Sequence, residues 1–472
     1  MNKIYKEKIY FICKKLIGKP ELVFVILGLV FGLIFIFRLA PLSGTDEFTH
    51  FPRLYQISEG VFWEKRLPGN QFGGRLPVNI NTMVNRYRNL SRFPTGSSYL
   101  AASSQLNAEY ARISNPGTKK VSAVFTSVIA YPPWAYLPNL IGLLIAKVLG
   151  VSLLWYVYLA RISGLLVWLV LTYFAIRLLP SGKWFLTVVA LVPTALSQAA
   201  TISSDGLQMS LVWLLAAMVL AMIVGRLKTN WPILTALVAV AAASALIKDG
   251  YFLAGLLPLA IPAYRFASKR SAVMFKVFEG VFIVAIAVLF TLRTVHAVKG
   301  VVLTPTYGMY FNSQQQISYI LHHLLPFAWH IVEQPFTKVF DTTYLGIVGI
   351  LTNRLIYLSV LVIGVIYGCL VFSWTHIRPL PELKRNAKWA VPIFLLVGYG
   401  TYVLVSTAIY IGNTSVGAPF VNALYGRYFL PVIPLLAVIP MALRRQPAVS
   451  RYQPVVVIGS VIGLMAMVMS LQ

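Results

Sequence analysis

The sequence predicts an all-α, polytopic transmembrane bundle, and three observations carry that reading. Its apolar residues fall in blocks about as long as a bilayer-spanning helix; the charged residues gather between those blocks; and the charge is predominantly positive. Of 472 residues, 58% are hydrophobic and only 11% charged, whereas a soluble domain carries roughly a quarter charged residues. Backbone polar groups in lipid must pair internally, and the blocks lack the alternation of a barrel, so helices are expected. The chain is treated as one integral membrane domain over 1–472.

The first block, Glu21 to Ala40, follows six lysines (Lys3, Lys6, Lys8, Lys14, Lys15 and Lys19). It is long and no small-x-small cleavage site follows. The expectation is an uncleaved signal anchor, with residues 1–20 a basic cytoplasmic terminus in the plasma membrane. A polar stretch, Pro41 to Tyr131, comes next. Further blocks run over Trp134–Leu149, Val151–Pro180, Trp184–Ser203, Leu207–Gly225, Trp231–Ile247, Tyr251–Tyr264 and Met274–His296. After a second polar stretch, 297–354, the blocks are Ile356–Trp374, Trp389–Ile411, Tyr428–Leu443 and Pro454–Ser470. At ~20 residues per crossing this predicts roughly eleven to thirteen spans. From Trp134 to Pro180 the chain must start on one side and finish on the other, yet it holds two blocks. Either one block is re-entrant or interfacial, or there are three short crossings.

Four basic clusters set the sides: Arg226 with Lys228; Arg265, Lys269, Arg270 and Lys276; Arg378, Lys384, Arg385 and Lys388; and Arg444, Arg445 and Arg451. Placing all four in the cytoplasm satisfies the positive-inside rule. Both long polar stretches, 41–131 and 297–354, then become extracytoplasmic loops. The formal charge of +27 therefore speaks of topology and anionic lipid rather than nucleic acid. No basic, aromatic-interleaved soluble domain is present to bind the latter. Cys13 and Cys369 are too few for a disulfide framework. The six histidines show no metal-binding spacing, and His322–His323 reads as solvent-facing.

This topology puts nine of the thirteen acids outside: Asp46, Glu47, Glu59, Glu64, Glu109, Asp205, Asp249, Glu333 and Asp341. Several sit at membrane-edge turns, where a lipid headgroup would lie. Asp46 and Glu47 are adjacent, so on a helix they point about 100° apart and cannot share one role. Asp46 suits a general base for an acceptor hydroxyl; a helix-capping pair is the equal alternative. Glu47 can hold a metal or an arginine such as Arg53. Tyr131-Pro132-Pro133-Trp134-Ala135-Tyr136 opens a span, with prolines in a first turn and aromatics at the interface. Asp205 and the Lys248-Asp249-Gly250 turn place further charge at the same edge. Arg427, after Tyr425-Gly426, suits forked phosphate binding, with interfacial snorkelling as the alternative. Arg161 lies inside a block, a cost unless it faces protein, water or a phosphate. No nucleotide-cradling glycine loop is present; a divalent metal ion is a candidate cofactor, with Asp46 and Asp205 as candidate ligands.

Several of these segments look like one family. Asp46-Glu47-x-x-His50-Phe51, Tyr131-Pro132-Pro133-x-x-Tyr136-Leu137-Pro138, Ser203-Ser204-Asp205, Lys248 and Gly426-Arg427-Tyr428-Phe429-Leu430-Pro431 resemble a bacterial family of multi-pass membrane proteins, catalogued as domain of unknown function twenty-one forty-two. That family resembles in turn the GT-C superfamily of lipid-phosphosugar glycosyltransferases, which includes protein mannosyltransferases and aminoarabinose transferases. The resemblance implies transfer of a sugar from a polyprenyl-phosphate donor to a cell-envelope glycan or glycolipid on the extracytoplasmic face. It makes Asp46 the base or metal-linked acid, Asp205 a second acid and Arg427 a donor-phosphate contact. Asp46-Glu47 stands where some members keep a lone Asp, so both are catalytic candidates. His50, Arg53, Tyr131, Arg161, Asp205, Lys248, Asp249, Tyr425 and Arg427 are the candidate substrate-binding residues. A flippase for a lipid-linked glycan, which Arg161 suits, and a non-catalytic scaffold for envelope assembly are the rival readings.

Overall fold

The computed structural model describes residues 18–63, 65–67, 71–90, 97–128, 131–248, 250–298, 312–337, 359–422, 424–443 and 452–470. The first span is α1 (Pro20–Arg38), an apolar helix with proline in its first turn, where no backbone donor is lost. The chain then turns sharply through Leu42 and Asp46, two non-glycine residues with φ of 58° and 56°. Such left-handed positions cost on the order of 1–3 kcal/mol each and persist only where the surroundings enforce them.

Beyond the turn, the first polar stretch folds into a small α/β unit. Helix α2 (Glu47–Ser58) leads to strands β1 (Lys65–Leu67) and β2 (Gln71–Pro77), helices α3 (Val78–Leu90) and α4 (Ser97–Tyr110), and strand β3 (Lys120–Val124). The strands form one antiparallel sheet in the order β1-β2-β3, with Lys65 opposite Gly73 and Gly73 opposite Val124. The all-α expectation is therefore corrected here. The sheet escaped notice because β2 reads Gln-Phe-Gly-Gly-Arg-Leu-Pro, a loop composition. Gly73 serves the sheet by close approach: a Cβ there would stand 1.9 Å from the Ala123 carbonyl oxygen.

The ambiguous stretch resolves into a short and a long helix. Helix α5 (Leu137–Val148) has 12 residues, about 18 Å at ~1.5 Å per residue, too short for a ~30 Å hydrocarbon layer. It folds back on α6 (Leu153–Leu178), whose 26 residues are ample for a crossing. Asn139 donates to the Ala160 carbonyl and the Gly142 amide to Ser163. A Cβ at Gly142 would collide with the Leu159 carbonyl oxygen at 1.9 Å, so glycine is what lets the two backbones touch. Of the alternatives left open for Trp134–Leu149, the 12-residue α5 fits the re-entrant or interfacial one.

The next block is broken at Pro193 into α7 (Lys183–Leu191) and α8 (Pro193–Ala199), since proline cannot continue the hydrogen-bond ladder. Regular helices α9 (Asp205–Ile223) and α10 (Trp231–Ile247) follow. Phe252–Ala260, with Pro258 inside it, winds as a 3₁₀ segment. Helix α11 (Lys269–Val298) carries the next apolar window. The second polar stretch contains α12 (Ser313–His322) and α13 (Leu324–Thr337). Then come α14 (Val360–Thr375), α15 (Pro381–Arg385) and α16 (Ala387–Asn413). Proline-rich 3₁₀ pieces, Gly426–Phe429 and Ile433–Ala437, run into α17 (Val438–Leu443), and α18 (Gln453–Met469) closes the described chain. Among the described residues five helices are long and apolar enough to cross a membrane, namely α1, α6, α9, the Lys269–Leu289 part of α11, and α16. The remaining apolar blocks are shorter helices or proline-broken segments.

The bundle has two unlike ends. At one, Arg226 donates to the Leu179 carbonyl, Arg265 to that of Ile223, and Ser181 to that of Arg378, while the Leu380 amide bonds the Met441 carbonyl. Three of the four basic clusters therefore share this end; Arg444, Arg445 and Arg451 lie outside the described residues, as do residues 1–17 with Cys13. At the other end, Ala40, Glu47, Ile202, Lys248 and Tyr428 meet.

Candidate functional site

Two carboxylates that are neighbours in sequence have opposite environments. Glu47 is fully buried and bound on every side. Its Oε1 accepts from Arg161 Nε (2.8 Å) and the Ile202 amide (2.9 Å). Its Oε2 accepts from Arg161 Nη2 (2.6 Å) and the Gly44 amide (3.0 Å). Arg161 completes its fork on the C-terminal carbonyls of α1: Nη1 donates to Ile36 and Leu39, and Nη2 to Ala40. Ile36 is among the last residues of the helix, whose carbonyls lack an intrahelical donor, and the guanidinium supplies one; the Ala40 carbonyl, just past the helix, also accepts from the Ser43 amide. Arg161, expected as a substrate contact, thus faces protein. Together with Glu47 it ties α1, α2, α6 and the segment after α8 into one joint.

That joint aims Asp46 the other way. Asp46 stands at the N-cap of α2 with left-handed φ and makes no side-chain cap hydrogen bond, which removes the capping alternative. Its Oδ2 accepts from Arg427 Nη2 at 2.8 Å. The Asp46 side chain is 49% exposed against 8% for Arg427, so the pair is open on the acid side. Arg427 Nη2 also donates to the Tyr428 hydroxyl, 3.2 Å away. Its guanidinium lies 5.0 Å from the Tyr425 and Tyr428 ring centres. Arg427 Nε is buried with no hydrogen-bond partner, a donor desolvated and aimed at nothing in the protein.

A second pair stands beside the first. Lys248 Nζ meets Asp205 Oδ1 at 2.7 Å and lies over the rings of Tyr131 (5.4 Å) and Tyr428 (5.1 Å). The Tyr251 hydroxyl bonds the Tyr428 carbonyl, fixing the ring between the two cations. His50 closes the floor, its Nδ1 2.8 Å from the Tyr136 hydroxyl and its ring stacked on Tyr131 at 5.5 Å. Burial pushes the imidazole from its ordinary range down to about 4, against the opposing fields of Asp46 and Asp205. Burial likewise pushes the Tyr131 phenol up to about 12. His50 is therefore a neutral ring and Tyr131 a neutral phenol at physiological pH.

The structure thus brings together Asp46, His50, Tyr131, Asp205, Lys248, Tyr425 and Arg427 from distant parts of the chain. Arg53 is apart from them: it is buried within α2 and donates to the Gln56 side chain and the Phe62 carbonyl. Asp249 lies outside the described residues. Tyr136, Tyr251 and Tyr428 were not singled out from the sequence as site residues, because a tyrosine at a helix end is ordinary at a membrane interface. Among the described residues no group of three or more His, Cys, Asp and Glu is placed to hold a metal ion. Asp46 and Asp205 are each paired with a cation, Arg427 and Lys248 respectively.

These clustered residues come from segments that span nearly the whole chain, and a family model spans nearly as much. The chain belongs to the family described as predicted membrane protein (DUF2142). The match runs over residues 29–436 and so takes in every residue of the cluster. No curated protein and no solved structure matches the chain. Membership carries a membrane location and no activity, so chemistry has to be argued from the cluster itself.

Proposed function

We propose that this protein is a membrane glycosyltransferase of the GT-C type, moving a sugar from a polyprenyl-phosphate donor to a cell-envelope acceptor. The basic end faces the cytoplasm and the cluster faces the extracytoplasmic side of the plasma membrane. The observation that carries the reading is the Asp46–Arg427 pair, an open carboxylate joined to a buried guanidinium whose Nε is unsatisfied. A lipid phosphate supplies the acceptor which that N–H lacks. Arg binds phosphate with charge-assisted, forked geometry, stronger than neutral hydrogen bonds. Lys248, across the Tyr428 ring, adds a second positive charge.

The chemistry follows from those positions. Asp46 takes the proton from the acceptor hydroxyl; the hydroxyl oxygen forms a bond to the anomeric carbon; the bond from that carbon to the donor phosphate oxygen breaks. The electron pair leaves with the phosphate, where Arg427 and Lys248 stabilise the charge. Glu47 is a positioning residue, because all its acceptor sites are taken by Arg161, Gly44 and Ile202. The flippase alternative leaned on Arg161, which binds Glu47 and helix carbonyls instead of facing a path.

The test is purified protein in vesicles with a radiolabelled polyprenyl-phosphate sugar and total envelope lipid or glycan as acceptor. Label leaving the donor, to acceptor or to water, in wild type and not in Arg427→Ala supports the reading. Label that crosses the bilayer still on its lipid would make the protein a flippase, and no change with any donor would favour the scaffold.

A further inference from the structure

Helices α12 and α13 come from a stretch whose average composition is polar, yet the faces of α13 are sharply sorted. On α13 the outward positions Leu325, Trp329 and Val332 are 85, 63 and 42% exposed. They recur at the spacing of one helix face, an unbroken apolar stripe. On α12 the exposed positions mix Ile317 and Leu321 with Gln314, Gln315 and Ser318, so the stripe belongs to α13. The inward face is different again. Gln334 exchanges two hydrogen bonds with the Val421 backbone, and Gln316 accepts from the Gly417 amide. Gly417 has φ of +73°, and a Cβ there would sit 3.1 Å from the Tyr319 ring, so the clamped segment depends on glycine. That segment leads directly into Tyr425 and Arg427.

The depth of the stripe follows from α16. Trp389, 75% exposed near the start of α16, marks the boundary at the basic end. Tyr402, whose hydroxyl bonds the Ile331 carbonyl at 2.9 Å, stands about 20 Å farther along that axis, and Tyr410, packed on Phe327, about 32 Å. With a hydrocarbon layer of ~30 Å, Phe327 lies near its far boundary and Ile331, four residues on along the same helix, at most ~6 Å inside it. An apolar face at that depth, continuous with the exposed surface of α16, has acyl chains for neighbours.

We propose that α13 is a lipid-embedded strap. Its outward stripe lies among the acyl chains of the leaflet at the site end, and its inner face holds the segment that delivers Tyr425 and Arg427. The partner is the hydrocarbon of the bilayer, and the site cation is tethered to it through Gln334. This holds whether or not the cluster transfers sugar.

Nitroxide labels test it. With Cys13 and Cys369 replaced by serine, single cysteines at Leu325, Val332 and Gln315 are labelled in phosphatidylethanolamine–phosphatidylglycerol vesicles. Collision rates are then read with oxygen, which concentrates in hydrocarbon, and with a water-soluble nickel chelate. The ratio of oxygen to nickel collisions is expected to be several-fold higher at Val332 than at Gln315, with Leu325, at the boundary, between the two. Nickel access at Val332 equal to that at Gln315 would place the stripe in water and overturn the proposal. Exclusion of both reagents at Val332 would mean that protein covers it, which also overturns it. Should the cysteine variants fail to fold, brominated phospholipid is the second measure. It is expected to quench wild type more than Trp329→Phe, and equal quenching would refute the strap.

Discussion

Replacing Glu47 by Gln removes one charge and almost no volume, which makes it the sharpest probe of the joint beneath the site. The carboxylate accepts four hydrogen bonds: two from Arg161 and one each from the Gly44 and Ile202 amides. A glutamine oxygen can satisfy one side, but its NH₂ then points at two donors on the other, either Arg161 Nη2 with Gly44 or Arg161 Nε with Ile202. Both residues are wholly buried, with side-chain exposures of 0%. The variant therefore leaves an unpaired guanidinium in a dry interior. Breaking such a buried pair from one side typically costs ~3–5 kcal/mol, a large part of the ~5–15 kcal/mol that holds a typical protein folded. The expected outcome is a marked fall in thermal midpoint and in monodisperse yield by size-exclusion chromatography in detergent. Asp46→Asn is the control: the acid side of its pair is 49% exposed, and the asparagine oxygen can still accept from Arg427 Nη2. Fold and yield should stay near wild type there, while any sugar transfer drops by ~10²–10⁴-fold, as loss of a general base requires. A Glu47→Gln protein as stable as wild type would refute the joint. An Asp46→Asn protein with undiminished transfer would remove Asp46 as the base.

Other consequences are as direct. Arg427→Lys keeps the charge but loses the fork, so donor turnover should fall by about 10²-fold or more while Asp46 remains paired, read as kcat against KM with a lipid-phosphate donor. His50 titrates near 4 when folded but near its ordinary value of 6.5 when unfolded. The unfolded chain thus binds more protons between those values, and stability must fall as pH drops through that window. His50→Gln should flatten that part of the profile of thermal midpoint against pH, and an unchanged slope would show that His50 is not the group. Cysteines at the exposed positions Asn85 and Lys384 should react with an impermeant thiol reagent on opposite sides of the membrane. In intact cells Asn85→Cys should be labelled and Lys384→Cys not, and the reverse pattern would invert the topology.

Much of this site is legible in the sequence. Asp46, Asp205, Lys248 and Arg427 each stand at the end of an apolar block, and charge at such an edge is visible in one dimension. Their roles were harder to see. Asp46 and Glu47 are equivalent as letters; only the left-handed turn at Asp46, with Arg161 lodged under α1, sends one carboxylate into the core and leaves the other open. Arg161 read as a costly intramembrane charge because its partner is 114 positions away in the chain. The β-sheet was hidden by strand lengths of three, seven and five residues, too short for alternation to rise above a loop. The stripe of α13 was hidden for the opposite reason: it occupies one face of a short helix inside a polar stretch, so average hydropathy reads as loop.

What the sequence determined by itself is the membrane solvent, the helical class and the common end for three of the basic clusters. These depend on summed transfer energies of blocks about ~20 residues long, which no later contact can reverse. Tertiary structure alone decided which acid is buried and that Asp46 meets Arg427. Those outcomes rest on contacts between residues 114 and 381 positions apart. A hydrogen bond is directional and worth ~1 kcal/mol, so its partner is chosen by the packing of whole helices and not by the residues on either side of it.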